Sequence, residues 1–290
     1  MKYSITHKTI YSGAEPVSVC HNESWLRPRD LPFQRCDDFQ LKIDPVPSIR
    51  SERTDTFGNK LSLFSFNQGY STLTVTALSQ VTVEERQFDG DKKAAWESVR
   101  ETIAAGRSLD SLEAYQFAFE SPRIRASHEL RDYALQSFTA HREIREAAIN
   151  LTQRVHDDFK FDNRATTVTT PVEEVFRLKR GVCQDFAHLQ IAMLRSLRLP
   201  ARYVSGYLRT IPPPGKPRLV GADASHAWVS LYCGAEIGWV DLDPTNNKPA
   251  GTDHITIAWG RDYSDVPPLR GVYMGGGSPS LTVSVDVKPC

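Results

Sequence analysis

The sequence lacks both a long apolar run and an excess of charge of one sign. No apolar stretch reaches the length of about 18 residues that indicates a membrane-spanning helix. Lysine plus arginine number 35 and aspartate plus glutamate also number 35, so the chain produces no strong net field. We therefore expect a protein that has neither a membrane nor a nucleic acid as its partner.

Signals for secretion and for metal binding are also missing. The first residues, MKYSITHKTIYSG, alternate polar and apolar side chains and lack the apolar core of a signal peptide. The cysteines are odd in number, scattered and without a C-x-x-C pair, which argues against a disulfide framework or structural zinc. His156 and His254 have no partner at metal-ligand spacing. The sequence predicts a protein of the reducing cytoplasm that uses no metal and no cofactor. The five cysteines are Cys20, Cys36, Cys183, Cys233 and Cys290.

Alternating apolar residues characterise the first part of the chain. Tyr3, Ile5 and His7 share one face of a predicted strand, and Leu73 and Val75 repeat the pattern. Several short strands of this kind, separated by turn signals, favour an antiparallel β sandwich. We predict a β-sandwich-like N-terminal domain over residues 1–85.

The pattern then changes to helices followed by strands. Residues 86–128 predict a helical connector, and residues 129–290 predict a core in which helices precede an antiparallel sheet. The alternation Leu281, Val283, Val285, Val287 predicts a last strand within that core. The chain as a whole is therefore predicted to be α+β.

Cys183 follows a glycine and begins a predicted helix. Most free cysteines are small buried hydrophobes, which is one interpretation of this residue. The other is a nucleophile, because the positive end of a helix dipole favours the thiolate.

A histidine and an aspartate downstream favour the second interpretation. His226 begins an alternating strand, and Trp239 to Asp243 forms the next one. A hairpin through Gly234 and Gly238 would bring Asp243 beside His226, where a carboxylate can orient the imidazole. Asp241 lies on the same strand face and competes, but the hairpin reach favours Asp243. The sequence thus predicts an acyl-transfer triad of cysteine, histidine and aspartate.

The motifs GVCQDFAHL, RLPARYVSGYL, DASHAWVSLY and GWVDLDPTN resemble the successive motifs of the bacterial transglutaminase-like superfamily, whose core is papain-like. WLRPRDLPFQR, the DTFGN turn and GRDYSDVPPLRGVY resemble one bacterial branch that carries a β domain before the core. The resemblance covers nearly the whole chain. It implies Cys183 as nucleophile, His226 as base and Asp243 as the orienting acid.

Other polar and aromatic residues near the motifs are weaker candidates for a role in the site. Gln184, Tyr207, Trp228 and Tyr263 are predicted substrate-binding residues, although aromatic strand residues are more often core. His188 lies about 140° around the helix from Cys183, so we expect it to be structural.

Three functions fit this constellation. A thioester formed on Cys183 from a peptide or protein substrate gives hydrolysis if water attacks it and transamidation if an amine does. A peptidase-like hydrolase is favoured, because water needs no dedicated site, and a cross-linking transglutaminase is the alternative. A non-catalytic peptide-binding module on the same fold is the third, disfavoured because all three triad residue types are present. The sequence indicates neither the second oxyanion donor nor the oligomeric state.

Overall fold

The computed structural model describes residues 1–86, 92–106, 108–210, 224–275, 277 and 280–290. The strands are β1 (Lys2–Ser24), β2 (Gln34–Asp44), β3 (Ile49–Thr54), β4 (Lys60–Phe66), β5 (Tyr70–Val83), β6 (Lys160–Phe161), β7 (Arg180–Gly181), β8 (Ala201–Leu208), β9 (Ala224–Tyr232), β10 (Trp239–Asp243), β11 (Lys248–Pro249), β12 (His254–Gly260), β13 (Leu269–Gly275) and β14 (Ser280–Pro289). The α-helices are α1 (Trp96–Ala105), α2 (Leu109–Tyr115), α3 (His128–Leu135), α4 (Ile144–Asp158), α5 (Val172–Leu178) and α6 (Cys183–Ser196).

The N-terminal sheet is organised around the long strand β1. The first half of β1 pairs with β5 on one side and β14 on the other, and its second half pairs with β4 and β13. Apolar residues from the two halves, among them Cys20, Phe64 and Val75, pack into one small core. This antiparallel sheet confirms the predicted N-terminal β domain.

The last two strands correct the predicted domain organisation. The sequence placed residues 269–290 with the core over 129–290, but β13 and β14 pair with β1 and complete the N-terminal sheet. Tyr3 lies opposite Pro289, and Ser12 lies opposite Ser280. Alternation shows that a strand has a buried face but not which sheet it joins, so the pattern could not assign β14. The predicted domain boundaries after residues 85 and 128 stay predictions.

The second sheet carries the DASHAWVSLY and GWVDLDPTN motifs of the core. Among the described residues its strand order is β11-β10-β9-β8-β12, and every pair in it is antiparallel. Helix α6 packs against β8 and β9, and its buried Leu189 belongs to the same apolar cluster as Tyr3 and Val81 of the N-terminal sheet. The two parts therefore share one continuous core, and the fold is the predicted α+β arrangement.

Helix α4 buries the apolar stripe that its 3.6-residue period predicts. Helix α5 begins after Pro171, which is its N-cap, and the Thr170 hydroxyl accepts a hydrogen bond from the Thr167 N–H. Helix α3 buries Leu130, Tyr133 and Ala134.

None of the helices in the described part of the chain has the length and apolar character needed to cross a bilayer. All five cysteines are free thiols.

Candidate active site

The start of α6 holds Cys183 in the first helical position. Val182 is the extended N-cap, and its carbonyl accepts the first helical hydrogen bond, from Phe186, at 3.0 Å. The Asp185 carboxylate turns back to accept the Val182 N–H at 2.8 Å, which satisfies one exposed donor of the helix end. Gly181 permits this turn, because a Cβ there would lie 2.6 Å from Asp185 Oδ2. The half-buried Cys183 is thus held rigidly, with its own N–H among those that have no acceptor inside the helix.

A hairpin brings the histidine and the aspartate together. Strands β9 and β10 pair with Trp239 opposite Tyr232, and the Cys233 N–H donates to the Gly238 carbonyl at 2.8 Å. At the other end of the pair, His226 Nε2 and Asp243 Oδ2 lie 2.8 Å apart. Cys183 also acts on the His226 ring, where it contributes to the raised pKa. The structure therefore brings the three predicted catalytic side chains together.

The electrostatics of this chain favour an imidazolium. Burial by itself lowers the pKa of His226, but hydrogen bonds and charges of Asp243 and Cys183 outweigh it and raise the pKa to about 9. Burial opposes the ionised form of Asp243, yet hydrogen bonds from His226, His254 and Asn246 bring its pKa far below the ordinary value. At neutral pH the pair is thus a carboxylate beside a protonated ring.

The Asp243 carboxylate is fully buried and holds several donors. Oδ1 accepts the backbone N–H groups of Thr245 at 3.0 Å and Asn246 at 3.2 Å. Oδ2 accepts the Asn246 side-chain amide at 2.7 Å in addition to the histidine contacts. The turn that follows β10 therefore fixes the carboxylate before any substrate arrives.

Asp241, the competing candidate, lies in a different cluster. Its Oδ2 is 2.9 Å from Arg86 Nη1 and accepts the Trp228 indole N–H at 3.1 Å. The β9–β10 register sets Asp241 opposite Ser230, whereas Asp243 lies two residues nearer to the His226 end. The hairpin geometry thus separates two residues that alternation alone could not.

His254 lies in the site, although the sequence left it without a partner. Its Nε2 is 3.0 Å from Asp243 Oδ2, because β12 pairs with β8 and so joins the sheet that contains β10. His226, Asp243 and His254 could be considered a metal triad by proximity. However, His254 Nδ1 accepts the Gly251 N–H at 3.2 Å, which leaves the proton on Nε2, the nitrogen that a metal would need. The donor set fits a hydrogen-bonded cluster better than a metal site.

Two of the four predicted substrate-binding residues are buried, which corrects the prediction. Trp228 is 0 % exposed, and Tyr207 is 3 % exposed with its hydroxyl 2.9 Å from His7 Nδ1. Strands β8 and β9 are covered on the faces that carry these two rings, so both rings belong to the core. Gln184 is half-buried beside Cys183, and its side-chain amide donates to the Val168 carbonyl at 3.2 Å.

Tyr263, the fourth, lines a cavity of about 470 Å³ between the N-terminal sheet and the core. Its backbone N–H donates to His188 Nε2 at 3.1 Å, and burial lowers the pKa of His188 to about 3, so this ring stays a neutral acceptor. His188 is thus structural, as predicted from its helical position. The cavity lining consists of His7, Thr9, Tyr11, Ser225, Tyr263, Pro268, Leu269, Leu281, Val283 and Val285.

Comparisons with known proteins agree with this arrangement. The model of the bacterial transglutaminase-like N-terminal region matches residues 3–82, and that of the transglutaminase-like superfamily matches residues 132–244, which include Cys183, His226 and Asp243. A Mycobacterium tuberculosis protein, itself uncharacterised, is 40% identical over 99% of this chain and 93% of its own length. The chain belongs to the transglutaminase-like superfamily.

Relatives of this transglutaminase-like protein carry different names. A crystal structure of a provisionally named cysteine protease from Cytophaga hutchinsonii has the same fold, with a TM-score of 0.76 and 22% identity, covering 100% of this chain and 91% of that one. A Pseudomonas aeruginosa protein-glutamine gamma-glutamyltransferase is 33% identical over 43% of this chain and 18% of its own length. The family and the fold indicate a cysteine enzyme.

Proposed function

We propose that this protein is a cysteine-dependent amide hydrolase in which Cys183, His226 and Asp243 form the catalytic triad. The observation that carries the proposal is that His226 Nε2 lies 2.8 Å from Asp243 Oδ2 while Cys183, at the start of α6, acts on the same ring. Nε2 faces the carboxylate, so Nδ1 is the nitrogen left for the thiol. This is the arrangement in which a base activates a nucleophile while a third group orients the base.

The mechanism starts from the pair in which His226, protonated at neutral pH, holds the proton of the Cys183 thiol. The thiolate attacks a substrate amide carbonyl, and the Cys183 N–H at the helix start stabilises the oxyanion that develops. Loss of one such donor typically costs about 3 kcal/mol in the barrier. His226 then protonates the leaving amine, which leaves a thioester. In the second half, His226 removes a proton from the water that hydrolyses the thioester and returns it to the thiolate of Cys183.

The cavity beside the triad supports a peptide or protein substrate. Ser225 precedes His226, and Tyr263 lies against Tyr203, which itself interacts with Cys183. The opposite wall comes from β1 and β14 of the N-terminal sheet, so this domain shapes access without supplying a triad residue. The lining holds no lysine, arginine, aspartate or glutamate among the described residues, and burial lowers the pKa of His7 to about 4. Such a surface favours an uncharged segment of the substrate.

Protein cross-linking is the second candidate, and the observation that favours it is the likeness to the Pseudomonas gamma-glutamyltransferase. Both activities share every step up to the thioester, and a non-catalytic peptide-binding module would carry out none of them.

We also propose that the protein acts in the reducing cytoplasm, and its free thiols support this proposal.

The products separate these functions. The wild-type protein and the Cys183→Ala variant are incubated with a peptide library, with and without a primary amine, and the products are identified by mass. Cleaved or deamidated peptides that require Cys183, in the presence of the amine as in its absence, support the hydrolase. Amine-adduct masses as the main product would replace it with the transglutaminase. No Cys183-dependent product, together with retained peptide binding, would leave the binding module.

A further inference from the structure

His254 contacts the carboxylate that orients the proposed catalytic base. Its Nε2 lies 3.0 Å from Asp243 Oδ2, the same oxygen that His226 Nε2 meets at 2.8 Å. We propose that His254 is a positioning residue, whose Nε2–H fixes the Asp243 carboxylate and, through it, the ring of His226. The proposal rests on the proposed function, because it assigns His254 a part in the same reaction.

Backbone contacts determine which nitrogen of His254 carries the proton. The Gly251 N–H donates to Nδ1 at 3.2 Å, so the neutral ring has its proton on Nε2, directed at the carboxylate. The ring is 1 % exposed, and the Trp228 ring stands nearly perpendicular to it, with 5.3 Å between centroids. A ring held this way has little freedom to turn away from Asp243.

The charges around His254 favour the neutral form. The charged or titratable groups that act on it are Asp243, His226 and Lys248. Burial lowers the pKa of His254, Asp243 opposes this, and His226 and Lys248 add to the lowering. A second imidazolium would compete with His226 for one carboxylate, whereas a neutral N–H aligns the carboxylate without neutralising it. His226 and His254 thus use the same oxygen in different charge states.

The strand that carries His254 is itself anchored by the N-terminal sheet. The Tyr3 hydroxyl on β1 donates to the Thr252 carbonyl at 3.0 Å and lies 3.1 Å from Asp253 Oδ1. These two residues form the turn between Gly251 and His254. The contact that sets the His254 tautomer is therefore supported from outside the catalytic core.

Two substitutions test the role of the N–H. His254→Phe keeps a ring but removes both nitrogens, and His254→Gln places an amide donor near the position of Nε2. Because a hydrogen bond to a charged group is worth a factor of about 10 to 100, we expect His254→Phe to lower kcat by about that factor. KM should change by less than about 3-fold, because His254 does not line the cavity. His254→Gln should recover most of the lost kcat.

A matched control tests whether general loosening of the turn after Asp243 is enough to lower kcat. His156 Nδ1 lies 3.1 Å from the Thr245 carbonyl, in the turn that follows Asp243, but does not contact the carboxylate. His156→Phe should leave kcat within about 3-fold of wild type, since it removes a neutral backbone contact alone. Thermal unfolding of each variant shows whether it folds.

A spectroscopic readout tests the proposal without catalysis. In ¹⁵N-histidine-labelled wild-type protein, His254 should show a protonated Nε2 and an unprotonated Nδ1 from pH 5.5 to 8, which are about the limits within which ordinary histidines titrate. A proton on Nδ1, a wild-type kcat in His254→Phe, or a folded His254→Gln as impaired as His254→Phe would each overturn the assignment. Absence of Cys183-dependent turnover in the wild type would instead refute the proposed function, while the tautomer would still report on His254.

Discussion

Replacing Asp243 by asparagine tests the electrostatics of the site most directly. The carboxamide keeps the size of the side chain and an oxygen for the Thr245 and Asn246 N–H groups. It removes the negative charge and sets an N–H₂ group where Oδ2 met His226 Nε2. The imidazole must then accept at Nε2 and carry its proton on Nδ1, the nitrogen that faces the thiol. Such a ring cannot take the proton of Cys183.

The size of the effect follows from the pKa of His226. The native site raises this pKa from 6.5 to about 9, and each pKa unit corresponds to about 1.4 kcal/mol. The imidazolium is thus favoured by about 3 kcal/mol, or about 300-fold, to which both Asp243 and Cys183 contribute. Loss of the correct tautomer alone has an effect of about 10⁴-fold in a comparable triad. We expect kcat/KM at pH 7 to fall by between about 300-fold and about 10⁴-fold.

The direction of this pKa shift determines how activity and stability change with pH. The folded-state pKa of His226 lies above the unfolded value, so its stabilising contribution is complete below pH 6.5 and is lost as the pH rises through about 9. The wild-type kcat/KM should therefore have an alkaline limb near pH 9, and the free energy of unfolding in urea should decline by about 3 kcal/mol between these pH values. In Asp243→Asn the limb should move below pH 7, and this decline should largely disappear.

Asp241→Asn is the matched control. It makes the same chemical change two residues away on the same face of β10, but disturbs Arg86 and Trp228 instead of His226. It should lower the melting temperature while the alkaline limb stays near pH 9. An Asp243→Asn variant that retains this limb and near-wild-type turnover would refute the reasoning, as would a displaced limb in Asp241→Asn.

Three further predictions concern the rest of the site. A thiol-directed alkylating agent at neutral pH should label Cys183 first and abolish activity in step with labelling; peptide mapping that finds the exposed Cys290 modified while activity is lost and Cys183 is intact would contradict this. Leu281 is 56 % exposed in the cavity wall, and Leu281→Asp should raise KM for peptides about 10-fold, since about 1.5 kcal/mol is typical for one buried apolar side chain. Turnover of a small chromogenic amide should stay unchanged. Equal effects on both substrates would argue against the role of this wall in substrate access. Gly206→Ala should destabilise the fold by about 3 kcal/mol in urea unfolding, because its Cβ would lie 2.3 Å from the Ile255 carbonyl oxygen and 2.4 Å from the Trp228 ring. A variant as stable as wild type would mean that both the β12 backbone and the ring move freely.

Local pattern was enough to locate the nucleophile, the base and the orienting acid of the proposed triad. Cys183 lies in the first turn of α6, and the β9–β10 hairpin sets Asp243 beside His226, as chain proximity and turn chemistry predicted. Asp243 is near His226 because only a short turn separates their strands. Such contacts depend on a few neighbouring residues, and their geometry can be worked out from spacing.

Contacts between distant segments could not be predicted in this way. His254 reaches Asp243 only because β12 joins the sheet beside β8, and its neighbours in sequence carry no sign of that pairing. Trp228 looked like a groove wall because alternation groups it with His226, but alternation does not show which face is covered. The assignment of β14 to the wrong sheet has the same cause.

The pairing of β1 with β14 determines when the protein can fold. On one side, residues 3–12 pair with residues 280–289, which lie more than 260 residues away along the sequence. Contacts between such distant residues form slowly, because a long loop has to close before they stabilise anything. During synthesis, the edge of β1 that includes His7 and Thr9 stays unpaired until residues 280–289 have left the ribosome. The nascent chain therefore exposes a long strand edge, which favours association with other unfinished chains and makes slow translation of residues 280–289 a hazard to yield.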